Sequence, residues 1–223
     1  MNKLIKTIEE LLLEEYKTVP FHNIFMLNGI EKTGTSFGGT CSDKVLHFQK
    51  VLQKNSITST LQSAYINGND CHRLLAVMIQ DQKFYIDVGS GFPSCKIFPA
   101  FKSIEYSVYG MSFRTEIRQN SLVIYHKTKA VHNEMSIIPF QQKTQNEILK
   151  DIKKRYCDTS VYPFRNSLRF SILIEDTFHF IKKKQLKLFN SHKNSSCLIS
   201  KKAAYSLINN VFNFDMQGLD FVM

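Results

Sequence analysis

The chain has 223 residues, 43% hydrophobic and 22% charged, with 18 Phe, 9 Tyr and no Trp. That composition supports a packed core and excludes a disordered tail. The net charge of +10 is gathered partly in "IKKKQLKLFNSHKNS" (181–195) and "SKKA" (200–203); lysine runs of this kind read first as a solvated face, so nucleic acid is not expected as a partner.

The five cysteines, an odd number with no CxxC pair, argue against a disulfide framework and a zinc ribbon, so reduced thiols and no metal are expected. In the opening stretch, "MNKLIKTIEELLLEEYK", Glu9, Glu10, Glu14 and Glu15 interrupt the apolar residues. Neither a signal peptide nor a membrane span is expected, and the predicted location is the cytoplasm.

Leu4, Ile5, Ile8, Leu11 and Leu12 share one face of a predicted helix over 3–16, which ends before Val19-Pro20 because the residue preceding proline avoids the helical region. After a polar stretch from Asn28 to Phe37, the spacing of Val45, Phe48, Val51 and Leu52 predicts a helix over 42–54. Cys41 stands at its start. Short β-branched and aromatic runs follow at 74–79, 83–88, 105–110, 112–117 and 122–127, so 72–140 reads as an antiparallel sheet or small barrel.

Thr144 and Glu147 form a capping box before "EILKDIKKRYC", with Ile148, Leu149, Ile152 and Tyr156 on one side. Three strand-like runs, "RFSILI", "TFHFIK" and "LKLF", come next. Ser200 is a candidate N-cap for a last helix carrying Ala204, Leu207, Ile208 and Val211. The order helix, sheet, helix, sheet, helix defines an α+β fold.

A helix N-terminus lowers a thiol's pKa, and Gly38 and Gly39 before Cys41 would let the backbone come close to a substrate. The competing reading is a small buried hydrophobe at a helix start. A working thiolate needs a base, and the base an orienting carboxylate. If a hairpin turns at Gln80-Asp81, position 87 lies opposite 74, and His72 is then the diagonal neighbour of Asp87. Such neighbours have Cβ atoms roughly 7–8 Å apart, within reach of an imidazole and a carboxylate. Cys71 and Cys95 follow no glycine turn into a helix and are not expected to be nucleophiles.

Cys41, His72 and Asp87, with their surroundings, resemble the arylamine N-acetyltransferase family. "VPFHNI" is similar to the family's Pro-Phe-Glu-Asn-Leu segment, "GGTC" to its Arg-Gly-Gly-x-Cys, "CHRLLAV" to its histidine strand, and "YIDVGSG" to its Asp-Val-Gly-Phe-Gly. Looser likeness runs through "IFPAF", "YPFRNSLRFSIL" and "ISKKAAYSLINNVF".

The resemblance implies a helical domain (1–60) carrying the cysteine, an antiparallel β-barrel (61–140) carrying His72 and Asp87, and an α/β lid (141–223). It implies transfer of an acetyl or short acyl group from acyl-coenzyme A, acetyl-CoA being a co-substrate, through a Cys41 thioester to an arylamine, hydrazine or other small amine. A thiol hydrolase, an amide synthase and a non-catalytic binding protein are the alternatives.

Four departures from the family pattern carry expectations. Phe37 replaces the arginine before Gly-Gly and His22 the glutamate after Pro-Phe, so a charged pair is lost and apolar packing is expected to hold the cysteine loop. The connector between "PFHNI" and "GGTC" is short. Ser90 replaces the phenylalanine of Val-Gly-Phe-Gly, leaving Phe92 as the aromatic surface for an acceptor. The lysine run suits coenzyme A phosphates without identifying which lysines.

Overall fold

Apolar residues at helical spacing make Asn2–Thr18 the first helix, α1, of a computed structural model that describes residues 2–127, 133–155 and 164–223. Ile8, Leu12 and Tyr16 are its buried apolar residues, while Leu4 is 37% exposed and does not belong to the expected face. Leu4 instead borders a surface groove that Ile57, Val77 and Ile79 also line. After Val19-Pro20 the chain forms a two-residue strand, β1 (Phe21–His22), and a single helical turn, α2 (Ile24–Leu27). The helix α3 (Cys41–Lys54) then begins at the cysteine.

The predicted strands appear with ends moved by a few residues, and one strand without a strong apolar run, β2 (Ser59–Ile66), precedes them. It is followed by β3 (Asn69–Ile79), β4 (Gln82–Ile86), β5 (Phe98–Pro99), β6 (Glu105–Val108), β7 (Met111–Arg118), β8 (Ser121–Lys127) and β9 (Asn133–Pro139). They form an antiparallel sheet of order β5-β4-β3-β2-β9-β8-β7-β6. Among the described residues β5 and β6 are edges, so the expected barrel is an open half-barrel.

Gln80 and Asp81 have φ of 50° and 60°, the left-handed pair that a tight hairpin needs to match the strand twist. Pairing runs from Ile79↔Gln82 to Leu75↔Ile86, and one further step in that register sets Leu74 opposite Asp87. This is the register read from the sequence.

The capping box on α4 (Gln145–Lys154) is present, with Thr144 N donating to Glu147 Oε2 at 2.8 Å. Ile148 and Ile152 are buried but Leu149 is 38% exposed, being a third of a turn round from Ile148. Tyr156, Cys157 and His132 lie outside the described residues. A second antiparallel sheet joins β10 (Arg169–Ile174), β11 (Thr177–Lys182), β12 (Gln185–Phe189) and β13 (Asn194–Leu198), with β1 on its far edge.

Ser200 Oγ accepts from Ala203 N at 3.2 Å, capping α5 (Lys201–Ser206). The helix then widens into a π-turn over Leu207–Val211. That wider turn carries Val211 off the expected buried face, to 49% exposure.

One core packs α1, α3 and α4 against the half-barrel and one face of the second sheet, through Leu173, Phe178, Phe180 and Phe189; another packs α2 and α5 against that sheet's other face. β1 joins them. Phe21 bridges Gly39 in parallel and pairs with Ser171 of β10, so the loop before Cys41 is stitched to the C-terminal sheet. Among the described residues no helix is long and apolar enough to cross a membrane.

Candidate active site

Cys41 opens α3, and the preceding loop is held by polar contacts rather than by the expected apolar packing. Asp43 Oδ2 accepts from Thr40 N at 2.9 Å and from Thr40 Oγ1 at 3.1 Å. Asp43 Oδ1 accepts from Arg155 Nη2, which also reaches Thr33 Oγ1 at 3.0 Å. Gly39 is at φ 141°, and a Cβ there would come within 2.4 Å of the Asp43 carboxylate. Burial raises the Asp43 pKa, opposed by Arg155 and Thr40.

Positions 22 and 37, where the family's charged pair is absent, are still linked. His22 Nε2 donates to Phe37 O at 2.9 Å, while Nδ1 accepts from Ile24 N at 3.1 Å. Both bonds require neutral imidazole, and burial among Phe25, Phe170 and Phe214 pushes its pKa down to about 3. A second buried network ties α3 to α1: Lys44 Nζ donates to Val19 O and lies 3.6 Å from Glu15 Oε1, and His47 Nδ1 sits 3.0 Å from Glu15 Oε2.

His72 of β3 and Asp87, one residue beyond β4, meet as the hairpin register predicts, with Nε2 to Oδ1 at 2.9 Å. Asp87 is anchored through its carbonyl, which accepts from Tyr16 Oη at 2.6 Å and Ser94 Oγ at 2.7 Å. Its Oδ2 is buried with no hydrogen-bond partner.

Cys41 lies close enough to His72 for the two side chains to interact, and its Sγ donates to Cys71 O at 3.6 Å. Burial disfavours charge at both groups, but their interaction outweighs it. His72 is pushed up to about 10, chiefly by Asp87 and then by Cys41. Cys41 is pushed below its ordinary value by His72 and Arg73. Both shifts favour a thiolate–imidazolium pair over the neutral couple.

The other two cysteines in question are set the opposite way. Burial pushes Cys71 up to about 11 and Cys95 up to about 12, so neither is a competing thiolate near neutral pH. Three other histidines have structural partners: His47 has Glu15, His126 stacks on Phe113 at 4.9 Å, and His179 Nδ1 donates to Thr177 O at 3.0 Å.

Gly89 lies against the backbone of Cys41: a Cβ there would stand 2.6 Å from Cys41 Cα and 2.8 Å from its Cβ. Real side chains do not approach so closely, so Gly89→Ala must push Cys41 away from His72. The expected result is a loss of about 1–3 kcal/mol from overpacking, measured by urea unfolding. Iodoacetamide should also alkylate Cys41 more slowly. Unchanged stability and unchanged reactivity would show that the two segments part freely.

Cys41, His72, Cys71, Ser90 and Phe92 line a cavity of about 340 Å³. Phe92 is there as the sequence suggested, its ring tilted against His126 at 4.3 Å and Phe180 at 5.1 Å. Ser90 Oγ donates to Phe92 O at 2.9 Å and so shapes the loop that carries this ring. The same cavity is lined by three cations that sequence reading left unassigned, Arg169, Lys182 and Lys187. The signal that finds them is cross-strand register, which a lysine count does not contain.

Two layers joined through the cysteine loop, with the histidine on a sheet strand and the aspartate just past its partner, define the arylamine N-acetyltransferase fold. Solved members superpose closely. The Mycobacterium smegmatis enzyme matches with TM-score 0.81 at 14% identity, covering 97% of this chain and 89% of that one. The Mycobacterium marinum enzyme in complex with CoA gives 0.81 at 13%, covering 94% and 86%. The Salmonella typhimurium enzyme gives 0.80 at 15%, covering 93% and 84%. Neither a family model nor a curated protein matches the chain by sequence.

Proposed function

We propose that this chain is an acyltransferase that moves an acetyl or short acyl group from acyl-coenzyme A to an arylamine, hydrazine or other amine. Cys41, His72 and Asp87 are its catalytic residues, in a 1–60, 61–140 and 141–223 division into nucleophile, base and lid segments. The observation that supports this most is His72 held by Asp87 at 2.9 Å on the same cavity as Cys41, inside a fold shared with a CoA-bound enzyme.

In the first half-reaction the Cys41 thiolate attacks the thioester carbon, and the oxyanion forms beside the N-terminus of α3, the positive end of the helix dipole. The intermediate collapses, and the coenzyme A thiolate departs with the proton that His72 held. In the second, the amine attacks the Cys41 thioester and gives its proton to His72, Cys41 leaves as thiolate, and the ion pair is restored. Asp87 fixes the imidazole tautomer and supports the imidazolium throughout.

Intact mass spectrometry after acetyl-CoA is added without an amine tests this. One acetyl group per chain is expected, mapped to Cys41 and absent from Cys41→Ala. An arylamine or hydrazine should clear it faster than water does. An adduct that water clears at the same rate points to a thiol hydrolase, and no adduct at all overturns acyl transfer.

A further inference from the structure

We propose that Arg169, Lys182 and Lys187 form an anion subsite in the Cys41 cavity, binding a phosphate or carboxylate on the molecule that reacts there. The acyl-transfer reading enters only in deciding which substrate brings the anion.

The sheet register puts the three together. Arg169 stands directly opposite Lys182, and Lys187 opposite Phe180, two residues before Lys182 and therefore on its face. Like charges directly opposed across strands cost stability. Among the described residues no carboxylate offsets that cost. Among the described residues the cavity is lined by no Asp or Glu, and none of the three cations has a carboxylate within ion-pair distance. Arg169 instead lies over the Phe164 ring, 4.9 Å from its centroid.

Burial, then Arg169 and Lys187, hold the Lys182 pKa below its ordinary value. An anion between them reverses that penalty. The Arg169 guanidinium is a planar fork suited to two oxygens, and the lysines add point charges. Two sources share this chemistry: the phosphates of coenzyme A at the end of its long pantetheine arm, and a carboxylate on a compact acceptor.

The test compares alkylation of Cys41 by iodoacetate and by iodoacetamide, similar in size and different in charge, with the Cys41 peptide followed by mass spectrometry. It needs no acyl transfer. Normalised to glutathione, the iodoacetate-to-iodoacetamide ratio should fall about tenfold or more in the Arg169→Gln/Lys182→Gln/Lys187→Gln variant. Lys184→Gln, an exposed lysine outside the cavity, should leave it unchanged. An unchanged iodoacetamide rate shows the triple variant intact, and an unchanged ratio overturns the subsite.

Substrate arms then separate the sources. Loss of the preference for acetyl-CoA over the acetyl thioester of N-acetylcysteamine assigns the anion to the phosphates. Loss of the preference for 4-aminobenzoate over aniline assigns it to an acceptor carboxylate. A variant that keeps both preferences overturns a substrate role. A responsive iodoacetate ratio in a protein that never becomes acetylated refutes acyl transfer and leaves the subsite standing.

Discussion

Asp87→Asn is expected to stay folded and to lose about 10⁴ in kcat/KM, the loss seen when the carboxylate behind a catalytic histidine becomes an amide. The geometry explains why an amide is a poor substitute. With its oxygen toward His72 Nε2, the NH₂ group occupies the buried slot of Oδ2, which has no partner. With its NH₂ toward His72, Nε2 must accept, and the proton moves to the nitrogen facing Cys41.

Both arrangements remove the charge that does most to raise His72 to about 10. Since His72 in turn lowers Cys41, the thiol pKa should rise in the variant. In the wild type, alkylation of Cys41 should be flat between the two pKa values and fall in acid as the thiolate gains a proton. In Asp87→Asn that acid limb should move to higher pH. A variant with wild-type rate and an unmoved limb would remove Asp87 from the mechanism. Cys41→Ala should abolish the acyl adduct, and adding Asp87→Asn to it should cost nothing more, because residues acting as one unit are not additive.

The pair was legible because two local rules suffice to place it. A two-residue turn at Gln80-Asp81 sets the register, and period two then fixes which side chains share a face. The helix start at Cys41 followed likewise from the spacing of Val45, Phe48 and Leu52. β2 was not legible, because "STLQSAYI" alternates weakly and gains its strand partners β3 and β9 from elsewhere in the chain.

The buried charges escaped for a different reason. Lys44, Arg73 and Arg155 are each 1% exposed, whereas any pattern rule assigns such residues to the surface. Their burial depends on partners distant in sequence, as Arg155 lies 112 positions from Asp43. The cation trio, though not buried, shows the same limit, since a lysine run gives net charge while only strand pairing shows which lysines face the cavity.

Arg155→Met is expected to destabilise the protein by about 3–5 kcal/mol, the range for breaking a buried ion pair and leaving one charge uncompensated. Asp43 would keep its bonds to Thr40 but lose its counter-charge in a site already raising its pKa by burial. Asp43→Asn combined with Arg155→Met should recover much of that loss, because the orphaned charge is gone and an amide oxygen can still accept from Thr40 N. Urea unfolding of the two variants measures the difference. Cys41 stands two residues before Asp43, so the single variant should also alkylate Cys41 more slowly under conditions where it is still folded. A single variant within about 0.5 kcal/mol of wild type, the range of a neutral surface change, would mean that the loop holds without Arg155. The linked loss of stability and thiolate reactivity would mean that this chain supports its cysteine loop from α4, where the family pattern places an arginine beside the glycines.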